Sequence, residues 1–211
     1  MPAETVRPPP ADFAARPLSV RALDPARIIR ISRVPAGREP FFGRTGTNRF
    51  DDPDPHEDDR YGVLYGALDL VTAFAETVLH EDETERPVGP DGIALSAASL
   101  DARRVLTFRG RSLRLARLYG KWLKALGGTG GVAKVVPYDI PQLWSQAVFR
   151  HPRKVDGFLY MSRNVDDRLA LAVFDRAGGK LSVRSATPLR SHPELAGVLR
   201  TFRLTLVEDP G

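Results

Sequence analysis

The sequence predicts an α+β fold with a mixed, largely antiparallel sheet and flanking helices. Short runs of β-prone residues are bounded by glycine, proline or polar turns, a pattern typical of strands. Other runs repeat their apolar residues with a period near 3.6, which is typical of helices that pack on a core. The 211 residues are enough for one sizeable core and do not require two domains.

Composition narrows the chemistry available to the protein. The chain has no cysteine and only four scattered histidines, so disulfides, thiolate nucleophiles and metal centres are not expected. Hydrophobic residues make up 42% of the chain, yet no apolar run approaches the roughly 18 residues of a membrane span. The Pro-rich N-terminus lacks the apolar stretch of a secretory signal, so a cytoplasmic location without membrane contact is the expectation.

The net charge of +5 suggests an acidic partner or an anionic ligand. The basic residues are spread along the chain, and the densest cluster lies between Asp101 and Lys124. Its basic residues recur at helical spacing, which predicts a helix from Arg111 to Leu126 with a solvated basic face. Direct binding of nucleic acid is therefore not expected.

The first part of the chain contains a predicted arm followed by a strand with two candidate arginines. Residues 1–24 are predicted to be a mobile Pro-rich arm, because they bury too little surface to offset their ordering entropy. Ala26–Val34 predicts a strand, from which either Arg30 or Arg33 could point inward. Arg38–Asp59 is a long irregular segment with an acidic end, of the kind that often forms a functional loop.

Arg49 lies in this loop between Asn48 and Phe50. Among the basic side chains of the loop, it is the one that we expect the loop to hold in place. A planar guanidinium suits a phosphate or carboxylate better than an ammonium group does. Three phenylalanines in the segment argue against disorder, since large aromatic side chains normally pack into a core or pocket.

The next segment joins a short strand, Val63–Tyr65, to a helix capped by Asp69. At about 100° per residue, Thr72, Glu76 and His80 form a row beside the apolar face of this helix. Spacing alone favours an exposed Glu76, which is the commonest position of a helical glutamate.

The second half of the chain is predicted to alternate between strands and helices. His80–Gly92 is a polar turn, and weak strand signals follow it. The glycines at 127–131 mark a helix end and a linker, and Asp139 is a candidate cap for the helix that follows. Ser162 stands at the end of the predicted strand 158–161, but no G-x-S-x-G elbow surrounds it, which disfavours a serine hydrolase. The remaining predicted elements are an apolar strand at 169–174 and a further strand or short helix after residue 181.

The order of five short motifs resembles the RES domain family, which is named for its arginine, glutamate and serine. The motifs are PFFG at 40–43, NRF at 48–50, VLY at 63–65, AFAET at 73–77 and DGFLYMSRN at 156–164. The resemblance runs from about Arg27 to Phe174 and assigns residues 25–211 to one catalytic domain. Phe50 stands where many members have tryptophan, and the acidic residues at 51–59 are an insertion.

The resemblance implies a fold like that of ADP-ribosyltransferases and a role as an NAD-degrading toxin of a bacterial toxin–antitoxin pair. It implies that Arg49, Tyr65, Glu76 and Ser162 line one NAD pocket, and that Arg30 joins them although Arg33 competes for the role. Glu76 would stabilise oxocarbenium character on the ribose or orient a ribose hydroxyl. The arginines would neutralise phosphates, Tyr65 would stack on nicotinamide or ribose, and Ser162 would act at the nicotinamide end.

The leading expectation is an NAD phosphorylase or glycohydrolase, that is, a transferase with NAD as substrate, inorganic phosphate as co-substrate and no cofactor or metal. The alternatives are a protein ADP-ribosyltransferase and a catalytically silent binding module. The expected partners are a cognate antitoxin that covers the active site and, as an open possibility, a second copy of the chain.

Overall fold

The computed structural model describes residues 6–79, 88–89 and 92–208 of the chain. The strands are β1 Val20–Leu23, β2 Ile29–Ser32, β3 Val63–Ala67, β4 Val88–Gly89, β5 Gly92–Ser96, β6 Arg104–Gly110, β7 Leu113–Leu118, β8 Gly157–Met161, β9 Leu169–Phe174, β10 Leu181–Pro188 and β11 Leu204–Val207. The α-helices are α1 Leu70–Phe74, α2 Ala98–Asp101, α3 Gly120–Ala125, α4 Asp139–Arg150 and α5 Leu195–Thr201. The predicted polar turn His80–Gly92 falls largely outside the described residues, and so does His80 itself.

Eight strands form the main sheet in the order β1-β7-β8-β9-β3-β2-β6-β10, and β11-β5-β4 form a small second sheet. The pairs β7–β8 and β5–β11 are parallel, and the other described pairs are antiparallel. The predicted α+β class with a mixed, largely antiparallel sheet is therefore confirmed. Within the described ranges, every helix is too short or too polar to cross a bilayer.

The main sheet cannot be flat, because its connections are too short. Four strands lie between β7 and β6 in the sheet order, so a flat sheet would separate them by five spacings, about 24 Å. Only two residues, Arg111 and Ser112, join them, and such a link reaches about 11 Å. The sheet therefore curls, and Phe108 of β6 shares a buried core with Leu115 of β7.

The sheet is weakest between β2 and β3. In the described chain these strands share a single ladder pair, Ile29 with Ala67, whereas β3 and β9 pair along five residues. Beyond that pair the two strands separate, and the separation creates space inside the curled sheet.

The helix after β3 begins as predicted, because the Asp69 carboxylate accepts a hydrogen bond from Thr72 N at 2.8 Å. After α1 the chain continues as a π-helical turn, Ala75–Leu79. A π-helical turn holds more residues than an α-helical one, so its side chains depart from the 3.6-residue spacing. Thr72 is fully buried while Glu76 is partly exposed, so the two differ in burial although four residues separate them.

The predicted mobile arm at residues 1–24 is wrong for the part of it that the structure describes. Phe13 is buried and packs edge-to-face on Trp144 of α4, with ring centroids 5.5 Å apart. Trp144 Nε1 also donates a hydrogen bond to Arg7 O at 2.9 Å. β1 then forms one edge of the main sheet. Proline-rich composition misled the prediction because a few well-placed apolar residues suffice to dock this segment.

The predicted helix from Arg111 to Leu126 is also wrong for most of its length. Leu113 and Leu115 are buried and alternate with exposed Arg114, which is the period of strand β7. Only the last part, α3, is helical. The leucines and arginines satisfy both periods along this stretch, and pairing with β1 and β8 decides for the strand.

Phe13→Ala tests the docking of the N-terminal segment. Removal of a buried aromatic ring is expected to lower the free energy of unfolding by about 3–5 kcal/mol. Phe41→Ala is the matched control, since Phe41 is 44% exposed, and its effect is expected within about 0.5 kcal/mol. Urea unfolding of both variants measures the difference, and equal effects would contradict the packing described here.

Candidate active site

The space between β2 and β3 is a cavity of about 340 Å³. Its walls come from β2, β3, the helix that carries Glu76, the loop before β3, and the residues beside α4 and β8. The charged, amide and phenolic side chains of the lining are Arg30, Arg33, Asn48, Arg49, Tyr65, Glu76, Tyr138, Tyr160 and Arg163. The cavity thus brings together Arg30, Arg49, Tyr65 and Glu76 from separate parts of the sequence.

Arg30 spans the separation between the two strands. Its Nη1 donates to Tyr65 O of β3 at 2.8 Å, while Nε lies 3.5 Å from Glu39 Oε1. The Glu39 side chain is fully buried and also accepts hydrogen bonds from Ser32 Oγ at 2.5 Å and Phe41 N at 2.7 Å. Burial lowers the pKa of Arg30, and the Glu39 charge opposes that shift. Arg30 is therefore the arginine of β2 that is held inside the cavity.

Arg33, the competing candidate, lies on the exposed rim of the same cavity. Both arginines therefore face an entering ligand, Arg30 from within and Arg33 from the mouth.

The Glu76 carboxylate is held by the turn that follows β8. Its Oε1 accepts hydrogen bonds from Ser162 Oγ at 2.6 Å and from Arg163 N at 3.1 Å. Its Oε2 lies 3.5 Å from the Tyr160 hydroxyl. Two donors thus fix one carboxylate oxygen, and the other lies beside the Tyr160 hydroxyl.

A further hydrogen bond and an ion pair join the turn after β8 to the helix that carries Glu76. Asn164 Nδ2 donates to Ala75 O at 2.9 Å, and Arg168 Nη1 lies 3.1 Å from Asp69 Oδ1. The helix and the turn therefore form one rigid support for Glu76.

Ser162 is placed differently from the expectation that it lines the pocket. It is fully buried behind Glu76, and among the described residues the cavity wall does not include it. Its Oγ donates to Glu76 and accepts from Asn164 N at 3.2 Å and Val165 N at 3.1 Å. This geometry makes Ser162 a positioning residue for the carboxylate.

Arg49 reaches the cavity from the loop before β3. Its Nη1 donates to Val135 O at 2.9 Å, and its guanidinium lies over the Tyr138 ring at 4.5 Å from the centroid. Burial lowers the pKa of Arg49, and the nearby Arg163 cation lowers it further. An arginine stays charged even so, because its ordinary pKa lies far above neutrality.

Tyr65 lines the cavity, and its hydroxyl is engaged in the Arg49 loop. The hydroxyl donates to Asp51 Oδ1 at 2.9 Å and accepts from Phe50 N at 2.9 Å. Burial raises the pKa of Tyr65 well above its usual value, and the Asp51 charge adds to the shift. Burial likewise raises the pKa of Tyr160, with the Glu76 charge as a further cause.

The structure adds residues that the sequence did not single out. Tyr160 and Arg163 stand on either side of Ser162 within a motif that was recognised, and the period of two in β8 already places Tyr160 and Ser162 on one face. Tyr138 and Glu39 lie in loops without a recognisable pattern. Their roles depend on tertiary contacts with Arg49 and Arg30.

The electrostatic character of the cavity is strongly positive. Among the described lining residues, four arginines stand against one carboxylate, Glu76. Such a wall favours an anionic ligand, and its one fixed negative charge can face a developing positive centre. The described residues contain no group of three or more histidine, aspartate or glutamate side chains that could hold a metal ion.

Comparison with known protein families identifies the class of protein to which the chain belongs. A family model described as the RES domain matches residues 25–195. The chain therefore belongs to the RES domain family, and the resemblance seen in its motifs is confirmed.

One curated protein and one solved structure are similar to the chain. A protein of Sinorhizobium fredii (strain NBRC 101917 / NGR234), named "Probable toxin y4kH", is 32% identical over 133 residues, which cover 58% of this chain and 98% of that protein. A chain in the crystal structure of the M. tuberculosis MbcT-MbcA toxin-antitoxin complex has a TM-score of 0.58 and 14% identity, and covers 90% of this chain and 94% of its own. At that identity, the second likeness establishes the fold.

The buried tyrosines predict a loss of stability in alkali. Tyr65 and Tyr160 stay neutral in the folded protein above pH 10, where the unfolded chain ionises, so stability is full below about pH 10 and falls above it. Each tyrosine is expected to contribute about 1.4 kcal/mol in total to the fall between about pH 9 and pH 11, because an unfolded tyrosine ionises around the middle of that range.

Urea unfolding between about pH 9 and pH 11 measures this loss. Tyr160→Phe is expected to reduce its slope by the share of one tyrosine. An unchanged slope would show that Tyr160 ionises as readily in the folded as in the unfolded state.

Proposed function

We propose that this protein is the toxin of a toxin–antitoxin pair and that it cleaves the nicotinamide N-glycosidic bond of NAD, with inorganic phosphate as acceptor. The observation that carries the proposal is a single carboxylate, Glu76, fixed by Ser162 and Arg163 N inside a cavity lined by arginines. The toxin names of the relatives support the biological role.

The chemistry requires a negative charge beside the ribose and positive charges around the phosphates. As the bond from C1″ to nicotinamide breaks, the electron pair leaves with the ring nitrogen, and positive charge develops on the ribose. Glu76 stabilises this charge or orients a ribose hydroxyl, since a preorganised carboxylate needs no reorganisation during the step. An oxygen of phosphate then bonds to C1″, which gives nicotinamide and ADP-ribose 1″-phosphate.

The arginines account for substrate binding. NAD carries a pyrophosphate, and the acceptor phosphate adds further negative charge to the complex. Arg30 and Arg49 line the cavity from different parts of the chain, and each is already held by a backbone carbonyl, so they are preorganised to bind these groups. The excess of positive charge on the wall favours an anionic acceptor over water.

The proposed partner is an antitoxin that covers the mouth of the cavity, as the toxin-antitoxin complex of the structural neighbour suggests. Val136 precedes the lining residue Tyr138 by two positions and is 62% exposed, although it is apolar. An antitoxin that covers the mouth would bury such a side chain. The cytoplasmic location, a possible homodimer and the absence of direct nucleic-acid binding stay predictions from the sequence.

Glu76→Gln tests the catalytic centre. The substitution keeps the shape and removes the charge, so the rate of nicotinamide release from NAD is expected to fall about 100-fold or more. Glu194→Gln removes an exposed glutamate outside the described cavity wall and is expected to keep the wild-type rate. Chromatography of nicotinamide and ADP-ribose products measures both variants.

The same assay, run with and without phosphate, identifies the acceptor. Release that depends on phosphate supports phosphorolysis, and phosphate-independent release replaces it with hydrolysis. Radiolabelled ADP-ribose retained on protein would point to protein ADP-ribosylation. Folded, antitoxin-free protein that releases no nicotinamide would refute the NAD-cleaving activity.

Ser162→Ala separates positioning from substrate contact. Loss of the hydrogen bond to Glu76 is expected to lower kcat roughly 10- to 100-fold, with a smaller change in KM for NAD. Steady-state kinetics measure the two constants. A rise in KM with unchanged kcat would instead assign Ser162 to substrate binding.

A further inference from the structure

Asp51 is a buried carboxylate beside the cavity, and its exposed fraction is only 1%. Its Oδ1 accepts a hydrogen bond from the Tyr65 hydroxyl at 2.9 Å. Its Oδ2 accepts from Thr45 Oγ1 at 2.8 Å, Asn48 N at 3.1 Å and Asn48 Nδ2 at 2.9 Å. A buried charge is costly unless it is hydrogen-bonded, so these donors and this carboxylate depend on one another.

These hydrogen bonds fix the backbone on both sides of Arg49. The preceding amide, Asn48 N, donates to Asp51, and the following amide, Phe50 N, donates to the Tyr65 hydroxyl at 2.9 Å. Because Tyr65 in turn donates to Asp51, both constraints on Arg49 converge on one carboxylate.

The hydrogen bonds of Tyr65 also decide what this residue can do. Its hydroxyl already donates to Asp51 and accepts from Phe50 N, so its proton is committed to the loop. The ring remains available as a wall of the cavity. Tyr65 therefore joins β3 to the Arg49 loop, and the hydrogen bond to Asp51 orients the Tyr65 hydroxyl in this contact.

We infer that Asp51 is a positioning residue that holds Arg49 and Tyr65 as one substrate-binding unit. The inference rests on the proposed cleavage of NAD, in which Arg49 binds the substrate phosphates. Asp51 acts through these two residues and does not touch the substrate.

Asp52 supplies a matched control one position away. It is also buried, with 6% exposure, and accepts hydrogen bonds from Tyr61 N at 3.1 Å, Asp54 N at 3.2 Å and Gln146 Nε2 at 3.1 Å. In the described chain, all three donors belong to residues outside the cavity wall. Asp52→Asn therefore repeats the chemical change of Asp51→Asn without touching the Arg49–Tyr65 unit.

Kinetics of the two variants provide the first test. An asparagine has one carbonyl oxygen and cannot serve both the Tyr65 hydroxyl and the donors from Thr45 and Asn48. Asp51→Asn is expected to raise KM for NAD about tenfold or more with a smaller change in kcat, because Arg49 binds the substrate in ground and transition state alike. Asp52→Asn is expected to keep the wild-type KM, and an equal rise in both variants would overturn the inference.

Amide hydrogen exchange, measured without substrate, provides a test that does not depend on NAD cleavage. Asp51→Asn is expected to speed exchange at Asn48 and Phe50 about tenfold or more, and Asp52→Asn is expected to leave both amides protected. Unchanged protection in Asp51→Asn would overturn the inference even if the enzyme cleaves NAD. Increased exchange in a protein that does not cleave NAD would refute the proposed function and leave the positioning role in place.

Single-bond variants keep the inference testable if Asp51→Asn does not fold. Tyr65→Phe removes one hydrogen bond to Asp51, and Thr45→Val removes another. Both are expected to raise KM for NAD by smaller factors. The double variant Tyr65→Phe/Thr45→Val tests whether the two bonds act together. If its rise in KM equals the product of the two single rises, Tyr65 and Thr45 do not act through the Asp51 carboxylate and the inference fails.

Discussion

The incomplete pairing of β2 with β3 is the constraint on which the site depends. Two strands that paired along their whole length would leave no room between them, but these two share one ladder pair in the described chain. Arg30 restores one connection with its side chain, since it donates to Tyr65 O across the separation. A guanidinium thus takes the place of a backbone donor, and the opening that results becomes a cavity with a cation in its wall.

A short connection elsewhere in the sheet shapes the surroundings of this separation. The two-residue link from β6 to β7 forces the main sheet to curl, and the curled halves enclose a common core. The N-terminal segment packs on α4 in the same body, so residues that appeared dispensable contribute to the stability of the scaffold.

Three polar groups of the cavity wall are each held by a second group that is not part of the described wall or is buried behind it. Ser162 supports Glu76, Glu39 supports Arg30, and Asp51 supports Tyr65. Two of these supports are buried carboxylates whose cost is offset by several hydrogen bonds. This arrangement fixes these side chains before a ligand arrives, which the proposed electrostatic catalysis requires.

The sequence alone was sufficient for the fold class, for Asp69 as a helix cap and for the motifs of the RES domain, because these depend on local pattern and order. It was insufficient for β7, where leucine and arginine satisfy both the helical and the strand period until neighbouring strands select one. It was also insufficient for the depth of Ser162, since spacing places a residue along a strand and says nothing about what covers it. The sequence pattern could not decide whether Arg30 or Arg33 lies inside the cavity. Arg30 is held there by Tyr65, which is distant in the sequence, and by Glu39, which lies in a loop without periodicity. The local sequence pattern therefore determined which functional side chains the protein carries. Long-range packing decided which of these side chains face the cavity and which hold the cavity wall from behind.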